Sequence, residues 1–192
     1  MNQQPILNDP VDRLLYLIEA GTSKRVIVGI VGLPGSGKST LAAKLVQSVN
    51  ERMKVKTAVS LSMDGFHLTK AALAQFADPT AALARRGSPW TFDPLGLAMK
   101  LRQLRNKPEN MTTWPDFQHG VGDPVADAIQ VSADTKLIIV EGLYLLHREH
   151  GWNLVGLLDE CWYIDTSMGV AMGRLAKRHM ASWGFSQEQA LR

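Results

Sequence analysis

Residues 26–46 impose a strand, a tight loop and a helix in immediate succession. Val26-Ile27-Val28-Gly29-Ile30-Val31 is a β-branched apolar run, the pattern of a strand buried on both faces. It leads into Gly32-Leu33-Pro34-Gly35-Ser36-Gly37-Lys38-Ser39, a complete G-x-x-x-x-G-K-S loop. Leu41-Ala42-Ala43-Lys44-Leu45-Val46 then continues at helical spacing. The glycines let the backbone wrap tightly enough for its N–H groups to point at phosphate oxygens. The loop opens a helix, whose N-terminal dipole favours anions. Gly32, Pro34, Gly35, Ser36, Gly37, Lys38, Ser39 and Thr40 are therefore the expected nucleotide-phosphate site. Lys38 has the reach for the β/γ-phosphates, and the Ser39 hydroxyl is a Mg²⁺ ligand in such loops.

Bulk properties narrow the setting. The chain has 192 residues, 45% of them apolar, which is a globular composition with enough length for a sizeable core. A formal charge of +3, from 21 basic and 18 acidic residues, gives no push toward nucleic acid or a membrane surface. Cys161 is the single cysteine, so no internal disulfide forms and nothing suggests an oxidising compartment. No apolar run approaches the ~18–20 residues of a membrane span. The first residues lack the basic-then-apolar layout of a secretory signal. A cytoplasmic enzyme is the expectation, with a homodimer left open.

The order of elements gives the fold class. Asp9-Pro10 precedes Val11, Leu14, Leu15 and Ile18, which predicts a short amphipathic helix from an acidic cap to Gly21. After the loop comes a helix over roughly 38–50. A second strand follows over 57–62, ending just before Met63-Asp64-Gly65-Phe66-His67. Residues 68–76 look helical, and Asp78-Pro79 is expected to break that helix. Residues 85–93 read as loop and 95–104 as helix. A Pro/Gly/Asp-rich stretch, 114–124, joins short strands near 111–114 and 125–131. Leu137-Ile138-Ile139-Val140 is a strand carrying Glu141-Gly142 at its end, and 161–165 is another. A helix over 167–181 and the start of one at 186–189 complete the chain. Alternating strands and helices imply an α/β fold, a doubly wound, mostly parallel sheet with helices on both faces. No repeat or linker divides it, so residues 1–192 are expected to form one domain. Ligands of such sheets bind at the carboxyl ends of the strands. Gly32–Ser39, Asp64 and Glu141 thereby become candidates for one cleft.

The loop alone does not separate a kinase from a GTPase, a motor or a transporter ATPase. Asp64, just past the second strand, can accept a proton from a hydroxyl attacking the γ-phosphate, although an acid in a polar turn is commonly only a cap. Glu141 ends an apolar strand, where a carboxylate is costly unless paired or near a metal. It is placed to hold Mg²⁺ directly or through water.

Gly32–Ser39, Met63-Asp64-Gly65-Phe66-His67, Arg86-Gly87-Ser88-Pro89 with Phe92-Asp93, Pro115-Asp116-Phe117 with His119, and Ile139-Val140-Glu141-Gly142 occur in this order. Together they resemble the phosphoribulokinase/uridine kinase family, over about residues 25–190. Within it the Asp-Gly-Phe-His-Leu and Arg-Arg-Gly-Ser-Pro segments are closer to pantothenate-kinase-like and uncharacterised sugar- or nucleoside-kinase-like branches. The resemblance implies a three-layer P-loop NTPase fold and transfer of the γ-phosphoryl group of ATP, with Mg²⁺, to a small-molecule alcohol. It implies that Asp64 is the catalytic acid–base residue, that Lys38 and Arg174 act with it, and that Ser39 and Glu141 hold the metal. It puts Asp64, His67, Arg86, Asp116, His119 and Glu141 on the acceptor side. It also implies a lid around 170–190, with Arg174 and Arg178 approaching the ATP phosphates and Gly184 as a hinge or a helix stop.

The plainer readings stand beside these. Arg86 is a solvated loop arginine, His119 a structural histidine, and Arg174, Lys177 and Arg178 a solvated basic face. Phe66, Trp90, Phe92, Trp114 and Phe117 either line an acceptor pocket or belong to the core. Members of the family generally continue into a segment that helps frame the adenine pocket, whereas this sequence ends at Arg192, so a shortened C-terminal part is expected. The alternative function is a non-catalytic or regulatory nucleotide-binding protein on the same fold. A GTPase switch is disfavoured, because no Asn-Lys-x-Asp segment follows residue 141. The acceptor stays open among nucleoside, pantothenate-like and sugar-type alcohols.

Overall fold

The computed structural model describes residues 9–21, 24–118 and 120–183, without the side chains of residues 178, 179 and 181–183. Its centre is a four-stranded, all-parallel sheet. The strands are β1 (Val26–Val31), β2 (Ala58–Ser62), β5 (Leu137–Gly142) and β6 (Glu160–Tyr163), in the order β2-β5-β1-β6. The two uninterrupted apolar runs of the sequence, β1 and β5, are the inner pair and are buried along their whole length.

Side chains alternate across the strands and feed two separate cores. Val26, Val28, Ile30, Leu137 and Ile139 face helices α1 (Pro10–Ala20) and α2 (Lys38–Met53), meeting Leu14, Ala42, Leu45 and Val49. Ile27, Val31, Ile138 and Val140 face the other way, onto Leu97, Leu101 and Leu104 of α5 (Pro94–Asn106) and onto Trp152 and Leu154. Full burial of each such aliphatic side chain stabilises the fold by about 1.5–3 kcal/mol. The expected three-layer arrangement is the one observed.

Two further helices are short, and both revise the sequence reading. The helix anticipated over 68–76 is reduced to α3 (Lys70–Leu73), capped by Thr69 Oγ1 on the Ala72 amide at 3.1 Å. Asp78-Pro79, anticipated as a break, instead starts α4 (Pro79–Ala84), with Asp78 Oδ1 accepting from the Ala81 amide at 2.9 Å. Asp9-Pro10 and Asp93-Pro94 start α1 and α5 in the same way. An acidic cap followed by proline at the first helical position is a start signal, because proline there gives up only an N–H that has no intrahelical partner.

The Pro/Gly/Asp-rich stretch forms a hairpin longer than expected, β3 (Thr112–Gln118) against β4 (Asp123–Val131), antiparallel and outside the main sheet. Pro115 is tolerated inside β3 because the register shifts between Trp114 and Asp116. A 3-10 turn, Met63–Phe66, follows β2 and carries the hairpin. Trp114 is fully buried, donates its Nε1–H to Ser62 O at 2.9 Å and meets Phe66 edge to face at 4.9 Å. Residue 65 must be glycine for this contact, since a Cβ there would overlap the Pro115 carbonyl. The helix α6 (Met168–Trp183) ends the described chain, and the start at 186–189 and Gly184 lie outside the described residues.

Gly65→Ala is expected to cost about 1–3 kcal/mol through overpacking of backbone on backbone. A urea titration followed by Trp fluorescence measures it, with a lower midpoint and an unchanged slope as the expected result.

Candidate active site at the carboxyl edge of the sheet

All four parallel strands point their carboxyl ends at one edge, and the sequence-identified groups gather there. The phosphate loop leaves β1, the Asp64 turn leaves β2, and Glu141 is the penultimate residue of β5. In the sheet register Glu141 lies between Ser62 of β2 and Ile30 of β1.

The loop has the conformation that phosphate binding requires. Gly35 and Gly37 take φ of 79° and 96°, left-handed values that favour glycine. Gly37 caps α2 with no side-chain hydrogen bond, so the helix N-terminus presents its amides without a competing internal anion. Ser36 Oγ is buried and unpaired, an orphan donor inside the cradle. Lys38 Nζ donates to Gly32 O and Leu33 O, each at 3.0 Å, which holds the ammonium at the loop. Pro34 and Thr40 flank it on the exposed side. This chemistry fits a polyphosphate: backbone donors, a hydroxyl and a fixed cation.

Glu141 is only 7% exposed and accepts a hydrogen bond from Ser39 Oγ at 3.2 Å. Burial pushes its carboxyl above the usual carboxylate range. A hydrogen bond from Ser62 opposes that shift, the Asp64 charge adds to it, and the Lys38 charge and Ser39 hydroxyl oppose it again. Ser62 was not anticipated. Its Oγ also accepts from the Asp64 amide at 3.2 Å, so one hydroxyl links both carboxylate residues. A serine two positions before an acid at a strand end was the available signal. An oxygen pair at Ser39 and Glu141, with a buried carboxylate short of positive charge, fits a hard cation such as Mg²⁺.

Asp64 is half-buried in the first turn of the 3-10 helix. Its carbonyl accepts from the His67 amide at 3.1 Å and lies 2.8 Å from His67 Nδ1, which therefore carries a proton. The His67 ring packs on Phe92 and Phe117, centroids 4.0 and 4.7 Å away. The backbone of Asp116 runs against Gly65, next to Asp64 in the chain. Phe66, Phe92 and Trp114 are core residues, whereas Trp90 and Phe117 are half-buried.

Arg86 is committed to the hairpin. Its guanidinium donates to Leu68 O at 2.7 Å, to Asp123 Oδ1 at 2.6 Å and to Gly122 O, and it lies 5.3 Å from the Phe117 ring centroid. That geometry corrects the picture of a solvated loop arginine: Arg86 ties the 85–93 loop to the hairpin tip. From the same loop, Gly87 O accepts from Tyr144 Oη at 2.7 Å and Pro89 O from Trp152 Nε1 at 2.9 Å. These two anchors were not anticipated.

The α6 helix covers the phosphate loop. A Cβ on Gly35 would overlap the Ala171 carbonyl, so helix and loop meet backbone to backbone. One turn later, Arg174 Nη1 reaches Ser36 O at 3.5 Å. His119 and the side chain of Arg178 lie outside the described residues.

The raised Glu141 carboxyl makes stability depend on pH. The folded chain holds this proton more tightly than the unfolded one. The resulting stabilisation is complete below the unfolded carboxylate value, about 4.3, and is lost as pH rises through the higher folded value. Glu141→Gln is expected to be more stable than wild type at neutral pH without Mg²⁺ or nucleotide, the two converging in acid. Urea midpoints across pH read this out, and parallel profiles would contradict it.

The comparisons with known proteins agree with the geometry. The model of the Phosphoribulokinase / Uridine kinase family matches residues 27–192. A Schizosaccharomyces pombe protein provisionally named as a uridine kinase is 38% identical over 160 residues, covering 83% of this chain and 68% of its own. A crystal structure from Silicibacter sp. TM1040, provisionally named as a fructose transport system kinase, superposes with a TM-score of 0.81 at 28% identity, over 94% of this chain and 85% of its own. YFH7 from Saccharomyces cerevisiae shares the fold, with a TM-score of 0.84 at 23% identity over 94% and 89% of the two chains. The chain is a P-loop kinase by fold and belongs to the phosphoribulokinase/uridine kinase family.

Proposed function

We propose that the protein transfers the γ-phosphoryl group of ATP to a hydroxyl of a sugar-type, nucleoside or pantothenate-like metabolite. The observation that carries this reading is the convergence on Glu141. Its carboxylate links to Ser39 of the phosphate loop on one side and to Ser62, hence the Asp64 turn, on the other. A nucleotide-binding scaffold alone does not need a second acid directed to the same edge. The names of the relatives add uridine and fructose, both polyhydroxylated, to the classes of acceptor.

In this mechanism the loop amides and Lys38 hold the β- and γ-phosphates in line with the acceptor. Asp64 orients the acceptor hydroxyl and takes its proton as the new P–O bond forms. Arg174, over the loop, offsets charge on the transferred group. Ser39 and Glu141 would hold Mg²⁺, which neutralises phosphate charge when bound. The packing of α6 on the loop keeps water, the competing acceptor, away from the phosphates. His67 after the 3-10 turn and Asp116 of the hairpin contribute the acceptor side, with Arg86 fixing the hairpin tip.

A coupled ADP-release screen over alcohol metabolites tests the proposal. Acceptor-stimulated turnover is expected for at least one sugar-type, nucleoside or pantothenate-like compound. Asp64→Asn is expected to lower that turnover by about 10²–10⁴-fold, with nucleotide affinity nearly unchanged. Wild-type turnover in Asp64→Asn would remove Asp64 as the base. Slow ATP hydrolysis that no acceptor stimulates would favour a regulatory nucleotide-binding role instead. Lys38→Ala is expected to weaken nucleotide binding as well as turnover.

A further inference from the structure

The loop leaving β5 carries a second group of donor atoms that phosphotransfer does not use. His147, Glu149 and His150 each offer one ligand atom, and those atoms all lie within 4.8 Å of one another. The two imidazole rings are stacked, with centroids 6.0 Å apart and planes 18° apart. His147 Nε2 is buried and has no hydrogen-bond partner, whereas Glu149 and His150 are exposed. A buried ring nitrogen left unpaired is unfavourable, so this imidazole has hydrogen-bonding or ligating capacity that the fold leaves unused.

The backbone is shaped to bring these groups together. His150 and Gly151 both take left-handed values, φ 53° and 83°, so the chain doubles back immediately after the triad. A non-glycine residue in that region is uncommon and points to a local requirement. One turn closes before it, His147 N to Tyr144 O at 2.9 Å, and one after, Trp152 N to Glu149 O at 3.0 Å. The flanking Tyr144 and Trp152 are the anchors on Gly87 O and Pro89 O, so the triad sits on a supported platform.

We propose that His147, Glu149 and His150 form a binding site for a zinc-class divalent cation that pins the loop leaving β5. Two imidazoles and a carboxylate suit Zn²⁺ and its probe Co²⁺, and leave a fourth position for water. Tetrahedral bonds of about 2.0–2.1 Å require the donor atoms to close to roughly 3.3 Å. Rotation of the exposed Glu149 and His150 side chains supplies that movement. The Ser39–Glu141 pair offers only oxygen and suits Mg²⁺, so donor chemistry keeps the two sites distinct. The pinned loop would in turn steady the 87–89 segment through Tyr144 and Trp152.

The test is Co²⁺ titration of the full chain without nucleotide or Mg²⁺, followed by d–d absorption, with Zn²⁺ displacement and thermal midpoints alongside. One equivalent of tightly bound Co²⁺, displaced by Zn²⁺ and raising the midpoint, is the expected result. Glu149→Gln and His150→Asn are each expected to weaken uptake at least tenfold. Both positions are exposed, and asparagine tolerates the left-handed backbone, so these variants should fold. Ser39→Ala should leave uptake intact. Absence of stoichiometric uptake would overturn the proposal. So would uptake unchanged in the Glu149→Gln/His150→Asn double variant, which would assign the ion to His67, His119 or His179.

Discussion

A carboxylate at the end of an inner strand is costly to accommodate, and the carboxyl edge of the sheet is organised around it. Glu141 is taken out of water with hydroxyl donors and one lysine nearby, and with a second acid adding repulsion. A fold selected only for stability would place an apolar residue there. The arrangement makes sense for a site that receives positive charge, because the desolvation that is unfavourable beforehand strengthens the attraction afterwards. Ser39, Ser62, Lys38 and Asp64 all act on the same carboxylate, so the phosphate loop and the Asp64 turn meet at it.

The opposite end of the sheet is built on the contrary principle. Arg25, just before β1, is fully buried, yet its guanidinium donates to four backbone carbonyls, those of Leu104, Pro108, Ser132 and Thr135. Asp159 accepts from the Ile27 amide at 2.7 Å and pairs with Arg105 at 3.1 Å. Arg13 pairs with Glu160 at the start of β6. These fixed partners tie the amino end of the sheet together and stabilise it. The carboxyl edge keeps an orphan hydroxyl at Ser36 and an under-compensated acid at Glu141. Fixed partners thus tie the amino end of the strands, and the candidate site lies at the other end.

Backbone-to-backbone contacts join the added parts to that frame. Gly65 admits the Pro115 carbonyl and Gly35 admits the Ala171 carbonyl. The first docks the hairpin beside Asp64, and the second docks α6 over the phosphate loop. Without side chains at these positions the main chains approach directly, so the hairpin and α6 are positioned by rigid contacts.

The features that the sequence alone determined are those whose physics is local. The β-branched runs at 26–31 and 137–140, the glycine-rich loop and the helix it opens are legible because burial period and turn conformation act within a few residues. The Asp-Pro pairs were legible in principle also: the same rule that identified Asp9 as a cap applies to Asp78, where the proline drew attention to a break. Tertiary structure alone decided what Arg86 holds, since its partners come from residues 68, 122 and 123. It also decided that Ser62 joins two acids, that Pro115 falls at a bulge, and that the histidines after β5 fold back on each other. Those outcomes depend on strand order and on long-range desolvation, and a linear pattern of residues carries neither.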